Sequence, residues 1–372
     1  MTRKRVNVCT SMALAGVLGF AIIAKSSPQT AGDAAKTAEQ AYKNIQVLKG
    51  TPADQMIPTM QFIANSLGVE CEFCHTQGAF EKDDKKQKET ARKMIQMQFA
   101  INKDNFKGER TVTCFSCHRG AHEPVGTPII SEEEPKRVET PKASESGMPT
   151  ADQVIDKYIQ AVGGADALQK VTSRSEKGSI NAGGRQMSIE VFAKAPDKRI
   201  TIMHTPNGDS ITAYDGRSGW LGNPGGRPPR EMGPSEAEAA RLDADFNLPV
   251  DLTKIFTQFR VRPGEKLGDH ETLQLIGIRQ GQAPVRLYFD KESGLLQRMV
   301  RYVDTPLGRN PTQIDYADYR AEGGVKIPFR WTLARPLGRF TIQIDQVQQN
   351  IPIDDAKFSK PAGGAGQKPA AH

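Results

Sequence analysis

Two short runs constrain this chain more than anything else in it: Cys71-Glu72-Phe73-Cys74-His75 and Cys114-Phe115-Ser116-Cys117-His118. Apart from Cys9, near the start, every cysteine of the 372 residues lies in one of them. Cys-x-x-Cys-His is the attachment sequence of c-type haem. Two intervening residues let both sulfurs reach one edge of a porphyrin as thioethers, and the histidine that follows turns its imidazole to the iron as proximal ligand. Structural zinc, redox dithiols and two disulfides are the alternatives. Zinc has no need of a histidine directly after both second cysteines, and a thioredoxin-like pair would sit at a strand-to-helix junction. Two identical patterns favour two covalently attached c-type haems. Cys71, Cys74, Cys114 and Cys117 are then the attachment residues, and His75 and His118 the proximal iron ligands.

The N-terminus reads as an address. Arg3, Lys4 and Arg5 precede an apolar stretch from Ala13 to Ala24, too short for a comfortable membrane span, so residues 1–26 are expected to be a secretory signal. Lys25 is unusual beside a cleavage site, which leaves an uncleaved N-terminal anchor, and membrane association through it, as the alternative. Cys9 lies before the apolar stretch, not after it, which argues against a lipoprotein cysteine. A periplasmic location suits haem attachment, which takes place outside the cytoplasm. Of the formal net charge of +7, four contributors (Arg3, Lys4, Arg5 and Lys25) fall in this segment. No basic run interleaved with aromatics follows, so nucleic acid is not an expected partner.

Six-coordinate electron-transfer haems take Met or His on the distal side. The six histidines are 75, 118, 122, 204, 270 and 372. His122 is too close to a proximal ligand to swing to the opposite face, His204 and His270 suit solvated or hydrogen-bonded roles, and His372 is on a disordered-looking tail. Methionine is better placed. Met56 and Met60 lie on a segment from Pro52 to Leu67 with apolar residues at helical spacing, ended by Gly68. Met94 and Met97 lie on a second, from about Lys86 to Ile101, with Met94, Ile95, Met97, Gln98 and Ile101 on or near one face. A methionine on an apolar stripe is commonly packing. Here, however, a helix with a methionine pair precedes each haem motif, as an internal repeat.

At this point the sequence resembles a family. Met60-Gln-Phe-Ile-Ala-Asn-Ser-Leu-Gly-Val-Glu-Cys71 through His75, and Ala91-Arg-Lys-Met94-Ile-Gln-Met97 through Cys114 to Gly120, resemble the photosynthetic reaction-centre cytochrome c subunit family over about residues 40–125. The resemblance implies that Met60 and Met94 are the distal ligands, with Met56 and Met97 in reserve. That family typically carries four haems as two such pairs, whereas this chain has one pair and no evident distal histidine. The resemblance therefore implies an electron-transfer dihaem module that serves redox protein partners, and not a reaction-centre subunit. Two saturated irons leave no open position for substrate, so the expectation is an electron carrier and not an enzyme. The alternatives are a peroxidase-like or small-molecule-reducing haem enzyme with one open iron, and a redox-sensing lipid- or lipoprotein-binding module. The run Lys82, Lys85, Lys86, Lys88, Arg92 and Lys93 reads as a docking edge for an acidic partner or, more plainly, as a solvated loop and helix start.

The expected organisation is a small all-α dihaem domain over 33–122, a Pro/Glu/Ser-rich linker over 123–150, a mainly antiparallel β domain over 151–360 and a disordered tail over 361–372. The β domain opens with a helix capped by Thr150. Period-two segments follow at about 173–182, 185–194, 198–204, 209–214, 271–279, 284–289, 295–303, 312–319, 326–334 and 339–348, with a helical interruption over 234–256. Such a pattern builds a curved sheet or half-barrel that buries one face against its helices. Its outline, with Ala161-Val-Gly-Gly-Ala-Asp-Ala-Leu and the closing Ile353-Asp-Asp-Ala-Lys-Phe358, is similar to the periplasmic lipoprotein-carrier (LolA-like) fold. That resemblance implies a concave face able to hold an apolar ligand; a filled core with a scaffolding role is the competing expectation. No catalytic constellation is found in this half.

Overall fold

The computed structural model describes residues 36–124, 126, 147–225, 228–336 and 338–361. The expected signal, most of the linker, nearly all of the tail, Cys9 and His372 lie outside the described residues. The N-terminal region is helical: α1 (Ala38–Ala41), α2 (Met56–Leu67), α3 (Lys86–Asn105) and α4 (Cys114–His118), with a 3-10 turn at Cys71–Phe73. Gly68 ends α2 in the left-handed conformation, φ 66°, as a C-terminal glycine should. A Cβ on Gly68 would meet the Gly120 carbonyl oxygen at 2.0 Å, so glycine is also needed for this approach. There the Gly120 N–H donates to the Ser66 carbonyl at 2.9 Å, tying the end of the second motif to the helix before the first.

Two further helices, α5 (Ala151–Ala161) and α6 (Ala165–Lys170), lead into the sheet. Thr150 caps α5, its hydroxyl accepting from Gln153 N at 3.2 Å. Six strands follow: β1 (Ser173–Ala182), β2 (Arg185–Lys194), β3 (Lys198–Thr205), β4 (Gly208–Asp215), β5 (Gly219–Gly222) and β6 (Arg230–Glu231). The helices α7 (Pro234–Ala244) and α8 (Leu248–Ile255) interrupt. Then come β7 (Gln258–Pro263), β8 (Thr272–Ile278), β9 (Val285–Asp290), β10 (Leu296–Thr305), β11 (Gly308–Glu322), β12 (Val325–Arg335) and β13 (Gly338–Gln349). All thirteen form one antiparallel sheet ordered β6-β5-β4-β3-β2-β1-β13-β12-β11-β10-β9-β8-β7. It is two meanders joined where the first strand pairs with the last, Arg174 opposite Gln349 through Ala182 opposite Phe340. The sheet is curved and stays open, with β6 and β7 as its edges.

Helices fill one face. Val154, Ile155 and Tyr158 of α5 and Leu252 of α8 pack on Leu275, Leu287, Phe289, Met299 and Ile314. Under α7, half-buried Arg301 pairs with Asp243, Nη2 to Oδ2 at 2.7 Å. Because side chains alternate along a strand, Tyr214 meets Ala240 and Ala244 of α7. Its neighbour Ala213 lies on the other face with Trp220 and Phe358. One face of the sheet thus carries α5, α7 and α8 in its core.

The helical region rests on the sheet through the β10–β11 turn. Leu307, at its tip, is fully buried in the cluster formed by Ala38, Leu48, Met56, Phe62 and Ile95, worth about 2–3 kcal/mol as transferred apolar surface. Polar bonds lock it in place. Gln98 Nε2 donates to the Leu307 carbonyl at 3.0 Å, Asn310 Nδ2 to the Pro58 carbonyl at 2.7 Å, and Arg110 to Asp304 at 2.9 Å.

Candidate functional site

Local structure shapes the two motifs alike. In the first, the 3-10 turn after α2 brings the Cys74 and His75 N–H groups to the Cys71 carbonyl, at 3.3 and 3.0 Å. In the second, buried Asn102 pins the approach: its side chain donates to the Val112 carbonyl at 2.7 Å and accepts from Thr111 N at 3.1 Å and Val112 N at 2.9 Å. Ser116 then accepts from Thr113 N at 3.0 Å and starts α4. Each motif histidine turns Nδ1 to a backbone carbonyl: His75 to Phe80 and His118 to Ala121, both at 3.0 Å. A carbonyl can only accept, so Nδ1 carries the proton and the Nε2 lone pair is available to a metal. That second bond is the usual orienting device for a ligating histidine.

Do these residues fit covalent haem? All four cysteines are free thiols, with Cys71 and Cys117 exposed and Cys74 and Cys114 half-buried. Burial pushes the Cys74 thiol up and that of Cys114 up to about 11. Among the described residues no three His, Cys, Asp or Glu side chains gather where they could hold one metal ion. The two pairs are therefore not combined into a zinc site. Every exposed large hydrophobic side chain among the described residues lies in the helical region, Phe80 and Phe115 at 53% exposure. Paired sulfurs, an oriented Nε2 and exposed apolar side chains in the same region fit haem at both motifs.

The methionines divide. Met56 is 4% exposed inside the core cluster, while Met60 is half-buried on its margin. On α3 the expected single face separates: Ile95 and Gln98 are buried, Met94 and Met97 lie exposed beside them. Met56 thus packs in the core, Met60 sits at its margin, and Met94 and Met97 stand exposed. His204 and His270 are hydrogen-bonded to Asp209 and Asp290, at 2.8 and 3.0 Å. His122 has its ring 5.9 Å from that of Phe73.

The basic run is not uniformly solvated. Lys88 is buried, and both Lys88 and Arg92 turn to Asp83, at 3.1 and 2.8 Å. The Arg92 hydrogen bond holds the Asp83 carboxyl well below the usual carboxylate range. Sequence reasoning missed Lys88, Asn102 and the Leu307 turn as parts of this site. Of these, only Asn102 was within reach, as a polar residue at the end of an apolar helical stripe.

Residues 17–160 match the family model described as the photosynthetic reaction centre cytochrome C subunit. The likeness read from the motifs is thereby supported over the helical region. Cytochrome c-554 of Chloroflexus aurantiacus is 32% identical over 119 residues, 29% of this chain and 28% of that protein. The photosynthetic reaction center cytochrome c subunit of Roseobacter denitrificans is 37% identical over 99 residues, 23% of this chain and 26% of the relative. That of Thermochromatium tepidum is 33% identical over 87 residues, 22% of each. The chain thus matches about a quarter of the length of these relatives. Among solved structures, a DUF1329 family protein from Desulfovibrio piger covers 57% of this chain at 14% identity with a TM-score of 0.41. A LolA superfamily protein from Nitrosomonas europaea covers 57% at 15% identity with a TM-score of 0.38. At these scores the likeness is one of outline.

Proposed function

We propose that the helical region is a dihaem c-type cytochrome module that passes single electrons between redox protein partners on the periplasmic side. The observation that carries this is the repeated Nδ1-to-carbonyl bond, which leaves both motif histidines as the same metal-ready tautomer beside a cysteine pair. Cys71, Cys74, Cys114 and Cys117 would hold the two haems, His75 and His118 would ligate iron, and Met60 and Met94 would close the distal sides. When bound, the haems supply one-electron exchange at iron. The protein's part is to fix the axial ligands, cover the ring with apolar side chains and set potential through hydrogen bonds and charge. The β domain, with helices filling one face, supports the scaffold role more than the apolar-ligand role.

An optical redox titration of protein matured in a haem-attaching host, with haem counted per chain, tests this. Two haems, both low-spin and indifferent to added carbon monoxide when reduced, are expected. Met60→Ala and Met94→Ala should each open one iron to carbon monoxide. One haem per chain, or a wild type that binds carbon monoxide, would favour the haem-enzyme alternative.

A further inference from the structure

The two motifs are alike in sequence and in their histidine bonds, yet one acceptor is shared and the other is not. The Phe80 carbonyl oxygen takes the His75 Nδ1–H at 3.0 Å and also the Lys88 ammonium at 2.9 Å. Lys88 reaches it from the first turn of α3. The same ammonium donates to the Lys82 carbonyl at 2.7 Å and lies 3.1 Å from Asp83 Oδ1. At 9% exposure it is largely removed from water. Among the described residues no lysine or arginine side chain donates to the Ala121 carbonyl, the counterpart acceptor for His118.

A carbonyl that accepts from Nδ1 draws on that proton and makes the ring a better donor through Nε2. A cation on the same oxygen draws electron density the other way, so the ring donates less. The cation's own charge acts in the same sense, because it disfavours the more positive, oxidised state of a nearby iron, and partial burial limits how far water screens it. Asp83 opposes both effects. We propose that Lys88, acting through the Phe80 carbonyl and His75, raises the reduction potential of the haem held by Cys71 and Cys74 and makes the two sites of the repeat electronically unequal. This rests on the two-haem reading above.

The test uses the full-length, haem-loaded chain, titrated optically at pH 7 as wild type, Lys88→Met and Asp83→Asn. In Lys88→Met one midpoint should fall so that the reduced-to-oxidised ratio at fixed poise drops about tenfold, about 59 mV for one electron. The other midpoint should stay in place. In Asp83→Asn the same midpoint should rise. A merely structural role would change haem content or melting without these opposed shifts at one site. If Lys88→Met does not retain its haems, the Asp83→Asn rise alone decides. Two retained haems with neither midpoint moved overturn the inference, as do two midpoints moving together. A wild type lacking haem at Cys71 and Cys74 overturns the two-haem reading and this inference with it. A two-haem wild type indifferent to both substitutions overturns this inference alone.

Discussion

Asp245 sits at the C-terminal end of α7, where the last carbonyls already present partial negative charge. Burial, reinforced by Asp251 nearby, pushes its carboxyl up to about 6. The folded state therefore holds the proton more tightly than the unfolded chain, whose value is about 4. Between those values the native state binds more protons, so stability falls as pH rises through that window, and the penalty is complete above about 6. Asp245→Asn keeps an acceptor for Asn247 N, bonded at 3.2 Å, and removes the charge. It should melt about 2–4 °C higher than wild type at pH 8 and together with it at pH 4, a modest gain because water still reaches part of the group. Equal melting at both pH values would contradict the assignment. Nothing in the sequence marks this residue, because its neighbours come from α7, α8 and their connection. The cysteines and motif histidines stand out in the sequence for the opposite reason: the pattern that singles them out is spacing along the chain.

The end of α2 poses a different question. Gly68 combines a left-handed backbone with contact against Gly120, whereas Gly50 has φ 77° and nothing within 4 Å of its would-be Cβ. Gly50→Ala should thus cost only the conformational term, about 1–2 kcal/mol. Gly68→Ala should cost clearly more and reduce haem at the second motif, read by haem-stained gel and thermal melting. Equal costs would mean the contact is soft. Gly68 was readable as a helix stop; its second role was not, because the partner is distant in sequence. The strands were legible where they alternate between core and solvent, as in β2. Missed were β5, four residues with a glycine at each end, β6, two residues long, and β7. The alternation in Gln258-Phe-Arg-Val-Arg-Pro was present, but it runs into proline and borders a helix, as befits an edge. Helical period alone cannot tell a core methionine such as Met56 from a marginal one such as Met60.

Leu307 joins the two parts of the molecule, and no local pattern announces it: an apolar residue in a Thr-Pro-Leu-Gly turn reads as a loop tip. Leu307→Ala should cost about 2–5 kcal/mol and fall on the helical region. In wild type, haem absorbance and the far-ultraviolet strand signal should melt together; in the variant the haem signal should be lost first. Coincident, unshifted melts in the variant would show the junction to be passive. The sheet order carries one more implication, concerning time. Synthesis delivers both cysteine pairs long before β10 and β11, which bring Leu307, and β13 comes last of all the strands. A chain exported N-terminus first, as the proposed periplasmic module would be, therefore offers its thiols while the small helical core still lacks its final side chain and the sheet its central seam. On the dihaem reading proposed above, haem meets an open cradle that docking of Leu307 closes afterwards, and the β1–β13 seam, a slow, long-range pairing, forms last.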